Sequence, residues 1–341
     1  MASDYATVAT VLDHAIERRV FPGAVVEIGR SRGPMATVAR GFLTYGEGAR
    51  AVDHRTVYDL ASLTKVLATT ALMVGAVGSG RLHLNDRVQQ WIPLWQGEQR
   101  QGVTIRDLLE HCSGLPGHRP YWQRLRGPAS FESAICEEPI DYPPRTQSVY
   151  SDPGFMLLGF ALQRATAAPL GQLFEAFRSR ELGPDVELAF RTSAAWRERT
   201  APTEDGPGGE ERRGAVHDEN CAALDGIAGH AGLFGTAAAV GAGARWWLTS
   251  PDLPIFARKS TTPGSSRALG WDTMLPTSSC GTRLSGQAIG HTGFTGTSLW
   301  IDPAQDLYVV FLSNRVHPTR SGEGIQEVRR AVHDAVVDAV A

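Results

Sequence analysis

Apolar positions near the N-terminus follow first a helical period and then a strand period. They recur every four residues between residues 8 and 20, which predicts an amphipathic helix that Pro22-Gly23 ends. The segments GAVVEIG and MATVARGFL follow, on either side of residues 31–34, SRGP, which are typical of a turn. The pattern therefore predicts one helix and then two strands joined by a turn.

The C-terminal end has the same two kinds of element. Residues 295–315, TGTSLWIDPAQDLYVVFLSNR, predict two strands around a turn at Asp302-Pro303. Apolar residues between 325 and 339 then recur at helical spacing and predict a final helix. Strand-forming segments thus stand at both ends of the chain.

The middle of the chain, residues 78–265, is helical in pattern and broken by Gly- and Pro-rich loops. Thr104 with Asp107 predicts a capping-box start for IRDLLEHC, which Ser113-Gly114 is expected to stop. Pro153 opens PGFMLLGFALQRA, and Thr236 precedes AAAVGAGARWWL. These segments predict several short helices.

Together the elements predict an α+β fold with an antiparallel sheet flanked by the N- and C-terminal helices. Residues 1–77 and 266–341 are expected to form an α/β sandwich subdomain, and residues 78–265 a mostly helical one. A site would lie at the seam between the two, where concave surfaces usually occur.

Composition narrows the possible partners. A net charge of −3, without a clustered stripe of Lys and Arg, is atypical of nucleic-acid binding. No apolar run reaches the roughly 18 residues of a membrane span. The N-terminus lacks a basic region followed by an apolar one, so the chain as given is expected to be cytoplasmic, unless an export signal has been removed. Cys112, Cys136, Cys221 and Cys280 lack metal or disulfide spacing and are expected to be free thiols.

One charge interrupts a long apolar run. Lys65 is the only ionisable residue between Leu60 and Gly80. A helix that is apolar on all sides is normally buried, and a buried lysine needs a partner. Ser62 lies three residues earlier, so on a helix both side chains occupy one face. Free N–H groups in a first helical turn favour a forming oxyanion, which makes Ser62 a candidate nucleophile. The alternative is that Lys65 extends to the surface.

Three segments in order resemble one enzyme family. Ser62 and Lys65 form the SxxK arrangement of penicillin-recognising enzymes. VYSDPGFMLLG, with Tyr150 and Asp152, resembles the tyrosine-x-asparagine motif of that superfamily, and GHTGFTG, from Gly290, resembles its third motif. LLEHCSGLP resembles a further common stretch. The chain therefore resembles the group of class C β-lactamases, DD-peptidases and family VIII carboxylesterases, which implies a β-lactamase/transpeptidase-like fold with an all-helical subdomain.

The resemblance implies a role for each matched residue. Ser62 would attack an acyl carbonyl and form an acyl-enzyme, Tyr150 would move the proton, and nearby positive charge would favour its phenolate. The N–H groups of Ser62 and Phe294 would form the oxyanion hole. Gly293 would let substrate approach the strand closely. Alternatively, Tyr150 is a core aromatic with a satisfied hydroxyl.

The expected substrate contacts are Asp152, His291, Thr292 and Gly293. Asp152 departs from the family asparagine: an ionised aspartate only accepts hydrogen bonds, and it favours the ammonium form of Lys65. We therefore expect Tyr150 to be the base and Lys65 to supply charge. Asp152 is alternatively, or also, an N-cap before Pro153. His291 either donates to a substrate carboxylate or leaving group, or only packs.

Other candidates are less specific. His217 and His230 suggest a metal site at first sight, but no further ligand spacing accompanies them, so a structural role is favoured and a substrate contact stays open. Four aromatic residues are expected in the core or at the rim, with a cleft lining as the alternative: Trp91, Trp95, Tyr121 and Trp122. No metal or organic cofactor is expected.

The function expected from the sequence is a serine hydrolase, preferably a carboxylesterase on small to medium acyl esters. Asp152 and His291 argue against efficient β-lactam hydrolysis, because they alter the groups that meet an acylamide and a carboxylate. The alternatives are a cytoplasmic amidase or peptidase on muropeptide fragments, a β-lactamase, and an inactive binding scaffold of the same fold. The sequence leaves the oligomeric state open.

Overall fold

A six-stranded antiparallel sheet is the centre of the fold. The computed structural model describes residues 5–340, so residues 1–4 and 341 of the predicted subdomain lie outside it. The strands are β1 (Gly23–Arg30), β2 (Gly33–Gly41), β3 (Tyr58–Asp59), β4 (Leu188–Ala189), β5 (Phe234–Gly235), β6 (Asp272–Thr273), β7 (Ile289–Thr292), β8 (Ser298–Asp302) and β9 (Leu307–Ser313). The order of strands in the large sheet is β2-β1-β9-β8-β7-β6.

The sheet confirms the strand predictions at both ends of the chain. β1 and β2 pair as a hairpin in which Val26 lies opposite Val38. On its other side, β1 pairs with β9, and Val26 lies opposite Phe311. β8 and β9 flank the predicted turn at Asp302-Pro303. The two ends of the sequence therefore meet in the middle of one sheet.

Most helices lie between the two strand-rich ends. They are α1 (Ala6–Glu17), α2 (Thr70–Gly78), α3 (Val88–Trp91), α4 (Ile105–Leu109), α5 (Pro128–Glu137), α6 (Asp152–Thr166), α7 (Leu170–Phe177), α8 (Glu219–Ala223), α9 (Ala237–Thr249), α10 (Leu253–Phe256) and α11 (Ile325–Val340). Five-residue π-helical segments cover Lys65–Thr69 and Arg178–Leu182, and 3₁₀ turns cover Glu98–Arg100, Tyr121–Gln123 and Ala194–Arg199. No helix within residues 5–340 combines the length and hydrophobicity of a bilayer-spanning segment.

The two faces of the sheet are covered by different helices. Val26 and Ile28 of β1 point to the face where α1 and α11 pack, whereas Val25 points to the face covered by α9. This alternation is the period of a strand buried on both faces. The terminal helices and α9 thus enclose the sheet between them, which fixes the strands that carry part of the candidate site.

Local structure differs from the expectations in two places and agrees with them in a third. α4 starts at the predicted Thr104 capping box but ends at Leu109, before Ser113-Gly114, because His111 adopts a left-handed backbone with φ 56°. A second sheet, in the order β3-β5-β4, has strands of two residues, too short to show a period. The four cysteines are free and buried, as expected.

Candidate active site

Ser62 lies at a sharp turn between a strand and a helix. β3 precedes it, and Ala61 turns the chain with a left-handed φ of 47°. The first helical residue is Leu63, so Ser62 stands just before the helix rather than inside its first turn. A short α-helical step leads directly into the π-helical segment that begins at Lys65, and such segments are frequent at functional sites. The turn leaves Ser62 partly exposed at the edge of a cleft.

Lys65 is fully buried and bonded on all sides. Its Nζ lies 3.0 Å from Ser62 Oγ, 2.7 Å from Asp152 Oδ1 and 3.0 Å from the carbonyl oxygen of His230. An ammonium group has three protons to donate, and each finds an acceptor here. The exposed fraction of the residue is 0%, so Lys65 does not extend to the surface.

The charge of Lys65 is stabilised where it is buried. Burial disfavours the ammonium form, but the nearby Asp152 and Tyr150 outweigh it and hold the pKa of Lys65 above its ordinary value. In turn, burial disfavours the ionised form of Asp152, but Lys65 and His118 outweigh it, and the pKa of Asp152 lies well below its ordinary value. The two residues therefore form an ion pair at neutral pH.

Tyr150 is enclosed by cationic and aromatic groups. Its ring centre lies 4.7 Å from that of His111 and 5.7 Å from that of His291. The Nζ of Lys65 lies 4.8 Å from the ring centre and the Arg267 guanidinium 5.2 Å from it. Burial raises the pKa of Tyr150, whereas Lys65 and the Ser62 hydroxyl lower it; the net pKa lies above its ordinary value. The positive charge is present as expected, but burial outweighs it, so the free protein holds a neutral phenol.

The two histidines beside Tyr150 have opposite tautomers. His111 Nδ1 accepts the N–H of Ser151 at 2.9 Å, so its proton is on Nε2. His291 Nδ1 lies 2.8 Å from the carbonyl oxygen of Thr292, which only accepts, so its proton is on Nδ1. Burial, together with Lys65 and Arg267, holds both pKa values well below the ordinary one. His291 is therefore neutral in this site, and its buried Nε2 has no partner within residues 5–340.

β7 brings the third motif beside Ser62. His291 and Thr292 pair with Leu299 and Ser298 of β8, and the N–H of Gly293 bonds the carbonyl oxygen of Thr297 at 2.7 Å. A Cβ on Gly293 would lie 2.7 Å from the carbonyl oxygen of Leu60, so only glycine fits against the Ser62 turn. Phe294 follows with an exposed ring that lines the cleft next to Ser62.

The helix that carries Asp152 is capped by its neighbour. Ser151 Oγ accepts the N–H of Gly154 at 3.1 Å, so Ser151 is the N-cap of α6 and Asp152 is its first residue. The alternative that Asp152 is itself the N-cap is therefore wrong, and its side chain is directed to Lys65 instead. Its second oxygen, Oδ2, lies 3.6 Å from Nδ1 of the exposed His118. Interaction with Asp152 raises the pKa of His118.

The cleft beside Ser62 has a volume of about 410 Å³ and is rich in arginine. Arg267, Arg315 and Arg329 line it, and Asp272 is the acidic residue in its lining. Arg329 is 3% exposed and donates to the carbonyl oxygens of Gly293 and Thr297 at 2.7 and 2.8 Å.

No carboxylate pairs with Arg329 in the described part of the chain. Burial, and repulsion from Arg315, lower the pKa of Arg329 to about 9. An unpaired buried guanidinium is costly, so an anion in the cleft would relieve its electrostatic penalty.

The remaining expected residues lie around this centre. His217 stacks on Phe294 at 5.7 Å, and His230 Nε2 lies 2.9 Å from Asp218 Oδ1. Within residues 5–340, no group of three or more His, Cys, Asp and Glu side chains is arranged to hold a metal ion. Trp95 and Tyr121 belong to the core, with Trp91 packed against it.

The sequence reasoning missed His111, His118 and the three cleft arginines. Arg329 had a readable signal, because it falls on the apolar stripe of α11, one residue after Val328 and three before Val332. His111 lies inside the LLEHCSGLP segment, where a single histidine carries no pattern that predicts a role. Arg267 and Arg315 stand in loops, where no periodicity marks a side chain that faces a cleft.

Comparison with known proteins identifies the family. The sequence profile of the family described as Beta-lactamase matches residues 8–334. The chain belongs to this family. Similar curated proteins are an N-acetylmuramyl-L-alanine amidase of Bacillus subtilis (strain 168), 29% identical over 90% of this chain and 80% of the relative, and a putative D-alanyl-D-alanine carboxypeptidase of Escherichia coli (strain K12), 32% identical over 77% and 70%.

Solved structures of the same fold agree with this membership. EstCE1, a hydrolase with promiscuous acyltransferase activity, superimposes with a TM-score of 0.78 at 20% identity, covering 98% of both chains. A class C β-lactamase from Rhodobacter sphaeroides superimposes with a TM-score of 0.77 at 18% identity, covering 98% of this chain and 99% of the other. The β-lactamase/transpeptidase-like α+β fold is confirmed, and the protein is a hydrolase of the β-lactamase serine hydrolase family.

Proposed function

We propose that this protein is an amidase or peptidase that acts through an acyl-enzyme on Ser62 and prefers substrates with a free carboxylate. Fragments of peptidoglycan peptides, recycled inside the cell, are the substrate class we assign. The sequence alone favoured ester hydrolysis; the charges of the cleft and the two curated relatives shift the preference to amides.

The proposed chemistry has two steps. Ser62 Oγ attacks the acyl carbon while the phenolate of Tyr150, the minor form, takes the hydroxyl proton. The tetrahedral intermediate collapses, the C–N bond breaks, and Tyr150 returns the proton to the leaving amine. Water then attacks the acyl-enzyme by the same route and releases the acid and Ser62. Lys65 stays charged throughout and stabilises the phenolate.

The oxyanion would be bound by two backbone N–H groups. These belong to Ser62 and Phe294, which both line the cleft. Neither N–H donates a hydrogen bond to another group within residues 5–340. Removing one donor from an oxyanion hole typically raises the barrier by about 3 kcal/mol, so the arrangement of these two N–H groups is a large part of the expected catalysis.

The observation that carries the proposal is the unpaired positive charge in the cleft. Three guanidinium groups, of Arg267, Arg315 and Arg329, line the cleft. Arg267 lies 4.0 Å from the carboxylate of Asp272, whereas neither of the other two pairs with a carboxylate in the described part of the chain. A substrate carboxylate fits guanidinium donors in charge and in geometry. A simple acyl ester has no group that would use this charge.

The relatives support the same class of substrate. The two curated relatives are described as an N-acetylmuramyl-L-alanine amidase and a putative D-alanyl-D-alanine carboxypeptidase. In both bonds the amine side is an alanine, so the leaving group is an amino acid or a peptide with its own carboxyl end. That end is the group we assign to the arginine-lined part of the cleft.

Ester hydrolysis is the second candidate, and one observation favours it. Asp152 is an ionised acceptor that is occupied by Lys65, so it offers no N–H to an acylamide carbonyl, as an asparagine would. An ester with an activated leaving group needs less help than an amide. Small and medium acyl esters therefore remain test substrates beside the peptides.

The test compares matched substrates on the wild-type protein and Ser62→Ala. The substrates are an N-acylated D-alanyl-D-alanine and an N-acetylmuramyl-L-alanyl peptide, each with a free carboxylate and as its C-terminal amide, and an activated short-chain ester. Intact-protein mass detects the acyl adduct, and chromatography detects the products. We expect the wild type to cleave at least one carboxylated peptide, at least about tenfold faster than its amide, a difference of about 1.4 kcal/mol.

The other possible outcomes would support a different function. Turnover of the ester with no cleavage of either peptide would replace the proposal by a carboxylesterase. A penicillin added in parallel shows whether β-lactams are hydrolysed, trapped or ignored. If no substrate gives an adduct or a product, the protein is an inactive scaffold, and the proposed function is wrong. Ser62→Ala must lose every adduct if Ser62 is the nucleophile.

A further inference from the structure

Asp59 is a buried carboxylate three residues before Ser62. Its exposed fraction is 3%. Oδ1 accepts the N–H of Ala61 at 2.8 Å, and Oδ2 accepts the N–H of His217 at 2.7 Å. No salt bridge reaches Asp59 from the described residues. A buried charge that is held only by backbone N–H groups is unusual, because most buried carboxylates are paired with a cation.

The first of these bonds acts on the turn that presents Ser62. Ala61 has a left-handed φ of 47°, which costs about 1 kcal/mol or more for a residue with a Cβ. An aspartate that binds the N–H two residues later forms an Asx turn, which stabilises such a backbone locally. Asp59 Oδ1 thereby holds the N–H that directly precedes Ser62 in the chain.

The main chain at Asp59 also binds the segment that follows Phe294. Thr295 Oγ1 donates to the carbonyl oxygen of Asp59 at 2.7 Å, and Thr297 Oγ1 donates to that of Leu60 at 3.1 Å. The chain on one side of the cleft is therefore bonded directly to the chain on the other side. Both proposed oxyanion donors lie within three residues of these bonds.

The second carboxylate oxygen of Asp59 binds the backbone of the residue that packs on Phe294. It holds the backbone of His217, and the ring of His217 stacks on Phe294 with 5.7 Å between the ring centres. One side chain thus restrains the Ser62 turn with one oxygen and the residue packed on Phe294 with the other.

We propose that Asp59 is a positioning residue that sets the separation of the two oxyanion donors, the N–H groups of Ser62 and Phe294. This inference rests on the proposed function of Ser62. Asp59 does not touch the substrate; it acts through the backbone of Ala61 and of His217.

The environment of Asp59 makes its role pH-dependent. Burial raises its pKa to about 6, the two backbone N–H groups oppose this, and the facing Asp218 carboxylate adds to it. The other groups near it are neutral or paired: burial raises the pKa of the Cys221 thiol well above its ordinary value, and the His217 ring faces Glu204. On protonation one oxygen becomes a hydroxyl, and one of the two N–H groups loses its acceptor. The phenolate fraction of Tyr150 already falls about tenfold per pH unit, so protonation of Asp59 should appear as a steeper acid limb of the acylation rate constant below about pH 6.

The experiment measures the rate constant of Ser62 acylation by an activated ester, on both sides of that pKa. The variant is Asp59→Asn, and the control is Asp302→Asn. Asp302 is also fully buried and accepts backbone N–H groups, those of Ser285 and Ala304, at the far end of β8. Thermal unfolding of each variant is recorded in parallel.

We expect Asp59→Asn to lower the acylation rate constant about 10- to 100-fold with KM little changed, and to remove the added steepness below about pH 6. Asp302→Asn should lower the unfolding temperature but keep the rate constant and the acid limb. Should Asp59→Asn fail to fold, Thr295→Val is used. It removes the bond to the Asp59 carbonyl and should slow acylation several-fold while keeping the acid limb.

Two results would overturn the inference, and they differ in what else they imply. If the wild type acylates and Asp59→Asn matches its rate constant and pH profile, Asp59 is only structural and the proposed function stands. Where Asp59→Asn does not fold, a wild-type rate constant in Thr295→Val would show that the connection through Asp59 does not position the oxyanion donors. If the wild type forms no adduct with any ester or peptide, the proposed function and this inference fail together.

Discussion

A single buried ion pair organises the residues around Ser62. The apolar run around Lys65 indicated that this charge needs a partner, and the structure supplies Asp152 at 2.7 Å. The side chain of Lys65 is 0% exposed and that of Asp152 is 16% exposed, so little water screens the pair. Removing one partner from such a pair leaves an uncompensated charge, which costs more than the pair itself contributes.

We predict that Asp152→Asn lowers the free energy of unfolding at neutral pH by about 3 kcal/mol. The difference from wild type should shrink in acid. The pKa of Asp152 in the folded protein is depressed below its ordinary value of 3.8, so its stabilisation is present above that pH and is lost as the pH falls below it. Urea unfolding at neutral pH and below 3.8 measures both effects.

The control for this prediction is a double-mutant cycle with Lys65→Met. The double variant removes both charges, so its loss of stability should be smaller than the sum of the two single losses. Equal unfolding free energies for wild type and Asp152→Asn at neutral pH would show that the pair contributes nothing to the fold.

At the scale of elements, the site depends on a direct contact between the end of β7 and the Ser62 turn. Gly293 follows β7, and a Cβ added to it would meet the side chain of Thr297, the carbonyl oxygen of Leu60 and the side chain of Ala61. Thr297 Oγ1 bonds the same Leu60 carbonyl. The absence of a side chain at Gly293 therefore sets how closely the strand and the turn approach.

We predict that Gly293→Ala slows acylation of Ser62 about 100-fold and destabilises the fold by about 1 to 3 kcal/mol. The new Cβ would lie 2.7 Å from the carbonyl oxygen of Leu60, so β7 must move away from the turn. Adduct formation by mass and chemical unfolding are the measurements. Gly286→Ala is the matched control, since a Cβ there meets nothing within 4 Å. Wild-type acylation by Gly293→Ala would show that this approach is not needed.

The helices and strands that the sequence predicted are those with periodic apolar positions or a recognisable capping residue. Alternating or four-residue spacing predicted α1, the β1-β2 hairpin, β8, β9 and α11, and capping residues predicted the starts of α4 and α9. The two-residue strands and the π-helical segment at Lys65 were not predictable in this way, because each depends on contacts with distant chain rather than on its own pattern.

At the scale of the whole molecule, sequence motifs predicted the residues at the centre of the site but not the residues around them. Ser62, Lys65 and Tyr150 stand in recognisable strings, and the fold brings them together with His291. Asp59 and Arg267 are isolated polar residues, whose meaning appears only when the chain closes around them. The overall charge concealed the cationic cleft, because a net value of −3 averages over surface that is distant from it.

That local charge leads to a prediction about ionic strength. We expect kcat/KM for a carboxylated peptide to fall about tenfold as ionic strength rises from about 0.01 M to about 1 M, because the screening length shortens from about 30 Å to about 3 Å. The rate for a neutral ester should change little.

Arg267→Gln should reduce the salt dependence of kcat/KM, since Arg267 lines the cleft. Arg283→Gln is the control with the same charge change; Arg283 is 60% exposed and pairs with Asp338. It should keep the wild-type slope. If kcat/KM for the peptide and for the ester depended equally on ionic strength, the arginines would not attract the substrate. The role of Arg329 would then be limited to its hydrogen bonds with the carbonyl oxygens of Gly293 and Thr297.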